Sequence, residues 1–165
     1  MSDRVVVIGA GNPLMGDDGL GLVALERLEA EWRLPPNVEF LDGGTWGIQL
    51  LPDLEAADEV IILDAIDAQL MPGQLVILEN ERLPRMFDFR VSPHDIGLQD
   101  AIALLELRGT RPGRMAAIGL QPGRVEWGIG LSPAVEAAMP ILVEAVATRL
   151  ATGGTPLQRR IPSHA

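Results

Sequence analysis

A β-branched run, Val5-Val6-Val7-Ile8, passes without a break into the turn Gly9-Ala10-Gly11-Asn12-Pro13-Leu14-Met15-Gly16. Two adjacent carboxylates, Asp17 and Asp18, follow, and an amphipathic segment starts there with Gly19-Leu20-Gly21. A continuous apolar strand of this kind is buried on both faces, as in parallel sheets covered by helices. The stretch therefore predicts strand, turn and helix. Its acids restrict which ligand such a turn can serve.

The first ligand to test is a dinucleotide. Gly9-Ala10-Gly11 after a strand, with Asp42 at the end of the next strand, imitates the G-x-G-x-x-G fingerprint. The third glycine would fall at position 14, which is Leu14. A pyrophosphate also needs bare backbone donors at the helix start, where Asp17 and Asp18 would repel it. No Gly-Lys-Ser/Thr follows to make a P-loop. Nucleotide binding is the weaker reading.

The rest of the chain repeats the alternation. A helix is expected from Asp17 or Asp18 to about Trp32, with Leu20, Ala24, Leu25 and Leu28 as its buried stripe and an Asp as N-cap. Strands are expected over residues 38–41, ending in Asp42-Gly43-Gly44-Thr45, and over residues 60–63, ending at Asp64. A short helix is expected over residues 46–54. The next apolar run, residues 75–78, follows too closely for a helical crossover, so it predicts an antiparallel edge strand. Residues 81–91 read as a loop anchored by Met86, Phe87 and Phe89.

Ser92-Pro93-His94-Asp95 is a helix start with a capping box. Leu98, Ala101, Ile102 and Leu105 form the stripe behind it, and Gly109 is its expected C-cap. Residues 115–120 form the last strand. Ser132-Pro133 repeats the helix-start chemistry, and Val135, Met139, Leu142, Val146 and Leu150 follow at helical spacing, with Pro140 as a kink point. The expected fold is α/β: a three-layer sandwich with a mostly parallel twisted sheet, helices on both faces and one antiparallel edge strand. Residues 1–154 read as a single domain and residues 155–165 as a flexible polar tail.

Composition excludes several functions. The net charge of −10 opposes binding to nucleic acid or anionic membranes. No apolar run is long enough to span a bilayer, and residues 1–10 lack the pattern of a signal peptide, so a cytoplasmic location is expected. Absence of Cys removes disulfides, thiolate metal sites and cysteine nucleophiles. Serine catalysis lacks a G-x-S-x-G elbow. Only His94 and His164 supply imidazole, and His164 lies in the tail.

In parallel sheets, ligands bind beyond the carboxyl ends of the strands. Asp17 and Asp18 follow the first strand, Asp42 the second and Asp64 the third, so all should share one edge. Asp18, Asp64 and His94 offer oxygen, oxygen and nitrogen donors, a set that suits nickel or zinc. Alternatively, a pair such as Asp18 and Asp64 could share a proton and activate water without an ion. Each residue also has an ordinary use: Asp17 or Asp18 as N-cap, Asp64 as a strand-end cap, His94 as a surface residue of a first helical turn.

The same residues carry a family likeness. Gly9-Ala10-Gly11-Asn12 through Asp17-Asp18-Gly19-Leu20-Gly21 resembles the opening motif of the nickel–iron hydrogenase maturation proteases. Asp42-Gly43-Gly44-Thr45, Asp64-Ala65, Ser92-Pro93-His94 with Gly97-Leu98, and Gly130-Leu131-Ser132-Pro133 match later blocks in the same order. The resemblance implies a five-stranded sheet between helices. It implies an endopeptidase, aspartic-type or metal-assisted, that trims a C-terminal extension from the large-subunit precursor after nickel insertion. The family's metal-contacting positions map onto Asp18, Asp64 and His94, which would also carry catalysis. Asp42, Gly43, Gly44 and Thr45 would line the substrate side. The choice of Asp18 over Asp17 as ligand rests on this likeness. Nickel would arrive with the precursor, with no permanent cofactor, and the protease would act as a monomer. Gln121-Pro122-Gly123-Arg124 lacks an acid that relatives often carry after this Pro, and no role follows for it. A non-catalytic chaperone that senses the inserted metal is the competing class.

Overall fold

The computed structural model describes residues 3–44, 47–80 and 96–162, with the side chains of residues 44, 47, 48 and 96–99 left out. In chain order the elements are β1 (Val5–Ala10), α1 (Leu20–Glu31), β2 (Trp32–Arg33), β3 (Val38–Gly44), α2 (Leu51–Ala56), β4 (Glu59–Ala65) and β5 (Leu75–Glu79). They continue with α3 (Ile96–Arg108), β6 (Arg114–Leu120), α4 (Pro133–Thr152) and β7 (Gln158–Arg159). Short 3-10 turns, Gly16–Gly19 and Gly47–Leu50, precede α1 and α2.

Five strands form one sheet in the order β3-β1-β4-β6-β5. β3, β1, β4 and β6 run parallel, and β5 pairs antiparallel with β6 at the edge, as the short connection required. All six residues of β1 and all seven of β4 are buried. Their alternation sorts them between two cores. Val5, Val7, Ile61, Leu63, Ile118 and Leu120 face α1 and α4. Val6, Ile8, Val60, Ile62, Met115 and Ala117 face α2 and α3. Each fully buried aliphatic side chain contributes roughly 1.5–3 kcal/mol of transfer free energy.

The expected helix stripes are buried wherever their side chains are described, which leaves out Leu98. Leu20, Ala24, Leu25 and Leu28 of α1 meet Val135, Met139, Leu142, Val146 and Leu150 of α4 in one cluster. Ala101, Ile102 and Leu105 of α3 join the other. Gly109 ends α3 with a φ of 68°, its N–H donating to the carbonyl of Glu106. α4 continues through Pro140 to Thr152. The helix expected from Asp17 or Asp18 starts at Leu20, because residues 16–19 wind as a 3-10 turn. The expected loop with Met86, Phe87 and Phe89, the capping box at Ser92-Pro93-His94-Asp95, and the starting residue Trp46 of the short helix lie outside the described residues.

Residues 155–160, read from composition as tail, dock on α1. Leu157 enters the α1–α4 core, and β7 pairs antiparallel with β2. The Arg159 guanidinium lies 4.5 Å from the centroid of the Trp32 ring, and Arg160 Nε donates to the carbonyls of Glu29 and Trp32. One buried Leu and one cation–π contact outweigh the polarity of the segment around them.

The amino-terminal end of the sheet holds a buried carboxylate, Glu59, between Arg149 at 3.2 Å and Arg114 at 3.3 Å. The Arg114 guanidinium is held more firmly protonated by its hydrogen bond to Asp3. Both arginines keep other acidic partners, Glu79 and Asp3, and reach solvent. Glu59→Ala is therefore expected to cost about 1–2 kcal/mol, below the roughly 3–5 kcal/mol of stranding a fully buried charge. It should leave activity at the opposite edge unchanged. Urea unfolding checks the first figure and a turnover assay the second.

Candidate functional site

Because β1, β3, β4 and β6 run parallel, their carboxyl ends open onto one edge. The turn after β1 is fixed by its own polar groups. The side-chain oxygen of Asn12 accepts from the Leu14 N–H at 2.9 Å, and its carbonyl accepts from Met15 N–H. The Asp18 carboxylate reaches back over the turn, and its Oδ2 accepts the Asn12 N–H at 2.9 Å.

Gly11 sits inside this loop at a φ of 106°. A Cβ there would lie 1.9 Å from the carbonyl oxygen of Asp18 and 3.3 Å from Oδ1 of Asp64. Both the conformation and the space demand glycine. The glycine also shows that the Asp18 backbone and the Asp64 carboxylate converge on one point. Gly21 serves a different purpose: a Cβ there would lie 2.1 Å from the Leu63 carbonyl oxygen, so its absence lets α1 pack directly on β4.

Asp64 is the penultimate residue of β4, opposite Gly119 of β6, and is 0% exposed. Its Oδ1 accepts the N–H of Ala65 at 2.7 Å. Asp18 is 4% exposed. Carboxylates withdrawn from water this far need donors or a cation to compensate for lost hydration. Among the described residues, no group of three or more His, Cys, Asp or Glu side chains forms a metal cluster. The third residue of the expected donor set, His94, lies outside the described residues, as does Thr45.

Asp42 is exposed at the end of β3, across from Gly9 of β1. The register slips there: Gly9 pairs with Asp42 but Ala10 with Gly44, so Gly43 is the extra residue of a bulge. Bulges beside a site turn the strand end and re-aim its side chains. The Asp42-Gly43-Gly44 segment thus shares the edge of Asp18 and Asp64, separated from Asp64 by β1.

Asp17 behaves differently from the N-cap expected of it. Neither the 3-10 turn nor α1 has a side-chain cap. Its carboxylate, 0% exposed, turns to the loop after β6 and the start of α4. Oδ2 accepts the N–H groups of Gly123 and Arg124, both at 2.8 Å, and the Ser132 hydroxyl at 2.7 Å. Oδ1 accepts the Ser132 N–H at 2.7 Å. Ser132 stands at the N-cap position of α4, but its side chain makes no cap bond; its hydroxyl donates to Asp17.

Gln121 is a second buried fastener. Its amide oxygen accepts the N–H groups of Ala68 and Leu70, at 2.8 and 3.1 Å, and its amide nitrogen donates to Asp67 at 3.0 Å. One planar amide thus joins the loop after β4 to the loop after β6. Sequence reading missed both roles. The partners of Asp17 lie more than a hundred residues away, and no local spacing signals such a bond.

Comparison with known proteins gives a consistent result. A family model described as "Hydrogenase maturation protease" (HycI) matches residues 23–149. The chain is 40% identical over 152 residues to the hydrogenase 2 maturation protease of Escherichia coli strain K12, covering 92% of this chain and 93% of that one. It is 37% identical over 160 residues to the hydrogenase expression/formation protein HupD of Bradyrhizobium diazoefficiens, covering 96% and 83%. Among solved structures, the hydrogenase maturating endopeptidase HybD from E. coli superposes with a TM-score of 0.89 at 38% identity, over 95% of this chain and 98% of that one.

Proposed function

We propose a specific task for this chain, which belongs to the hydrogenase maturation protease family and is a peptidase: it removes the C-terminal extension of a nickel–iron hydrogenase large-subunit precursor once nickel is in place. The observation that carries this reading is the convergence of the Asp18 turn and the buried Asp64 carboxylate on Gly11, at the carboxyl edge of the sheet. Two buried carboxylates at this edge are oxygen donors of the kind a divalent cation accepts, and a peptidase whose substrate brings the ion needs no resident one.

In this reading Asp18, Asp64 and His94 are the ligands that meet the precursor's nickel. Asp42, Gly43, Gly44 and Thr45 line the substrate side. Either the ion or one of the carboxylates activates the water. The water oxygen bonds to the scissile carbonyl carbon, the C–N bond breaks, and the leaving amine takes a proton. Nickel serves as a recognition handle. A nickel-free precursor lacks a contact the acids are placed to make, and that difference gives the enzyme its selectivity. The protease works as a monomer in the cytoplasm.

The test is an incubation of purified protein with nickel-loaded and nickel-free precursor. Only the loaded form should shorten on a gel. Equal shortening of both would remove nickel from recognition. A loaded precursor that binds but never shortens would favour a metal-sensing chaperone.

A further inference from the structure

The loop after β6 combines two properties that rarely meet. Its inner side is fastened with unusual completeness. Gly123, Arg124 and Ser132 are held by the buried Asp17 carboxylate. The Asp17 N–H donates to the Arg124 carbonyl, the Gly16 N–H to the Gly128 carbonyl, and the Gly128 N–H to the Leu14 carbonyl, each at 2.9 Å. Its outer side leaves Trp127 78% and Ile129 84% exposed, on either side of Gly128, with Leu14 of the bridged turn 48% exposed. Arg124 and Glu126 pair with each other at 3.7 Å, so the tip carries little net charge.

Fold stability does not require Trp127 and Ile129 at these positions, since water covers both side chains. Binding accounts for both properties. A rigid loop loses little freedom when it docks, and an exposed Trp is the residue type that most often dominates an interface. We infer that Leu14, Trp127 and Ile129 form a ledge on which the precursor protein seats its own apolar surface while its chain end lies in the site.

The occupant follows from continuity. The ledge is hydrogen-bonded residue to residue to the turn that ends in Asp18. The precursor whose chain end reaches Asp18 and Asp64 is the occupant that this adjoining ledge would meet. This inference rests on the functional reading above, and the test separates the two.

Processing of nickel-loaded precursor is measured at steady state for the wild type, Trp127→Ala, Ile129→Ala and Trp127→Phe. Affinity for the same precursor is measured by biolayer interferometry. Trp127→Ala should raise KM and weaken affinity at least about tenfold, with kcat within about twofold. Trp127→Phe should recover most of the loss, and the melting temperature should not move because the side chain is exposed. An unchanged KM and affinity, or a dimer of this chain that disappears in Trp127→Ala by light scattering, would overturn the ledge. A wild type that binds precursor without cutting it would sink the protease assignment, and the affinities would still decide the ledge.

Discussion

Asp64→Asn is expected to lower precursor cleavage by about 10²–10⁴-fold, the range lost when a positioned acid–base group is removed. The substitution is nearly isosteric. The retained Asn oxygen can still accept the Ala65 N–H that Oδ1 accepts now. What disappears is the negative charge. An amide is a poor ligand for a divalent transition ion and cannot take a proton from water. The protein should remain folded, because neutralising a fully buried position removes a desolvation penalty. Cleavage is followed on gels and folding by circular dichroism. A variant that cuts at the wild-type rate would remove Asp64 from the chemistry, and one that unfolds would assign it to the scaffold.

The second large effect belongs to Asp17. Asp17→Ala withdraws one carboxylate from three backbone N–H groups and one hydroxyl. A hydrogen bond to a charged group contributes about 1.5–3 kcal/mol, and the donors left behind are partly accessible to water. The expected loss is about 3–5 kcal/mol, or roughly 6–20 °C in Tm for a chain of this size. Asn should not rescue it, because its NH2 would face donors where the carboxylate now accepts. Ser132→Ala removes one bond of the four and should cost about 1 kcal/mol. A helix cap would also be worth only about 1 kcal/mol. An Asp17→Ala loss that small would sink the clamp and restore the capping role expected from sequence.

Much of this molecule was legible in its residues. The run from Val5 to Ile8 read as a strand buried on both faces, and it is one. The short step from Asp64 to Leu75 forced the antiparallel edge. Parallel strands then carried Asp18, Asp42 and Asp64 to one edge without any knowledge of side-chain packing. The illegible parts share one cause. Asp17, Gln121 and Trp32 draw their partners from distant segments, and the chemistry of an Asp beside a helix is satisfied equally well by a local cap. Ser132-Pro133 announced a helix start correctly, yet the hydroxyl that suggested a cap bond serves Asp17 instead. The docking of residues 155–160 was illegible for the same reason: it depends on Leu157 meeting α1 and α4, and single residues do not register in composition.

The Asp17 clamp also sets an order of events. Its partners stand 106, 107 and 115 positions further along the chain. Closing an open loop of that length costs about 4 kcal/mol of chain entropy, as much as the clamp returns. It cannot nucleate folding by itself. It becomes affordable only after β6 has joined β4 and carried the Gln121–Ser132 segment to the carboxyl edge. The contacts of the Asp17 clamp are therefore expected to form late, after the local bonds of the turn itself. A nascent or partly folded chain, even one with its sheet half assembled, holds these acids apart from the loop that frames them.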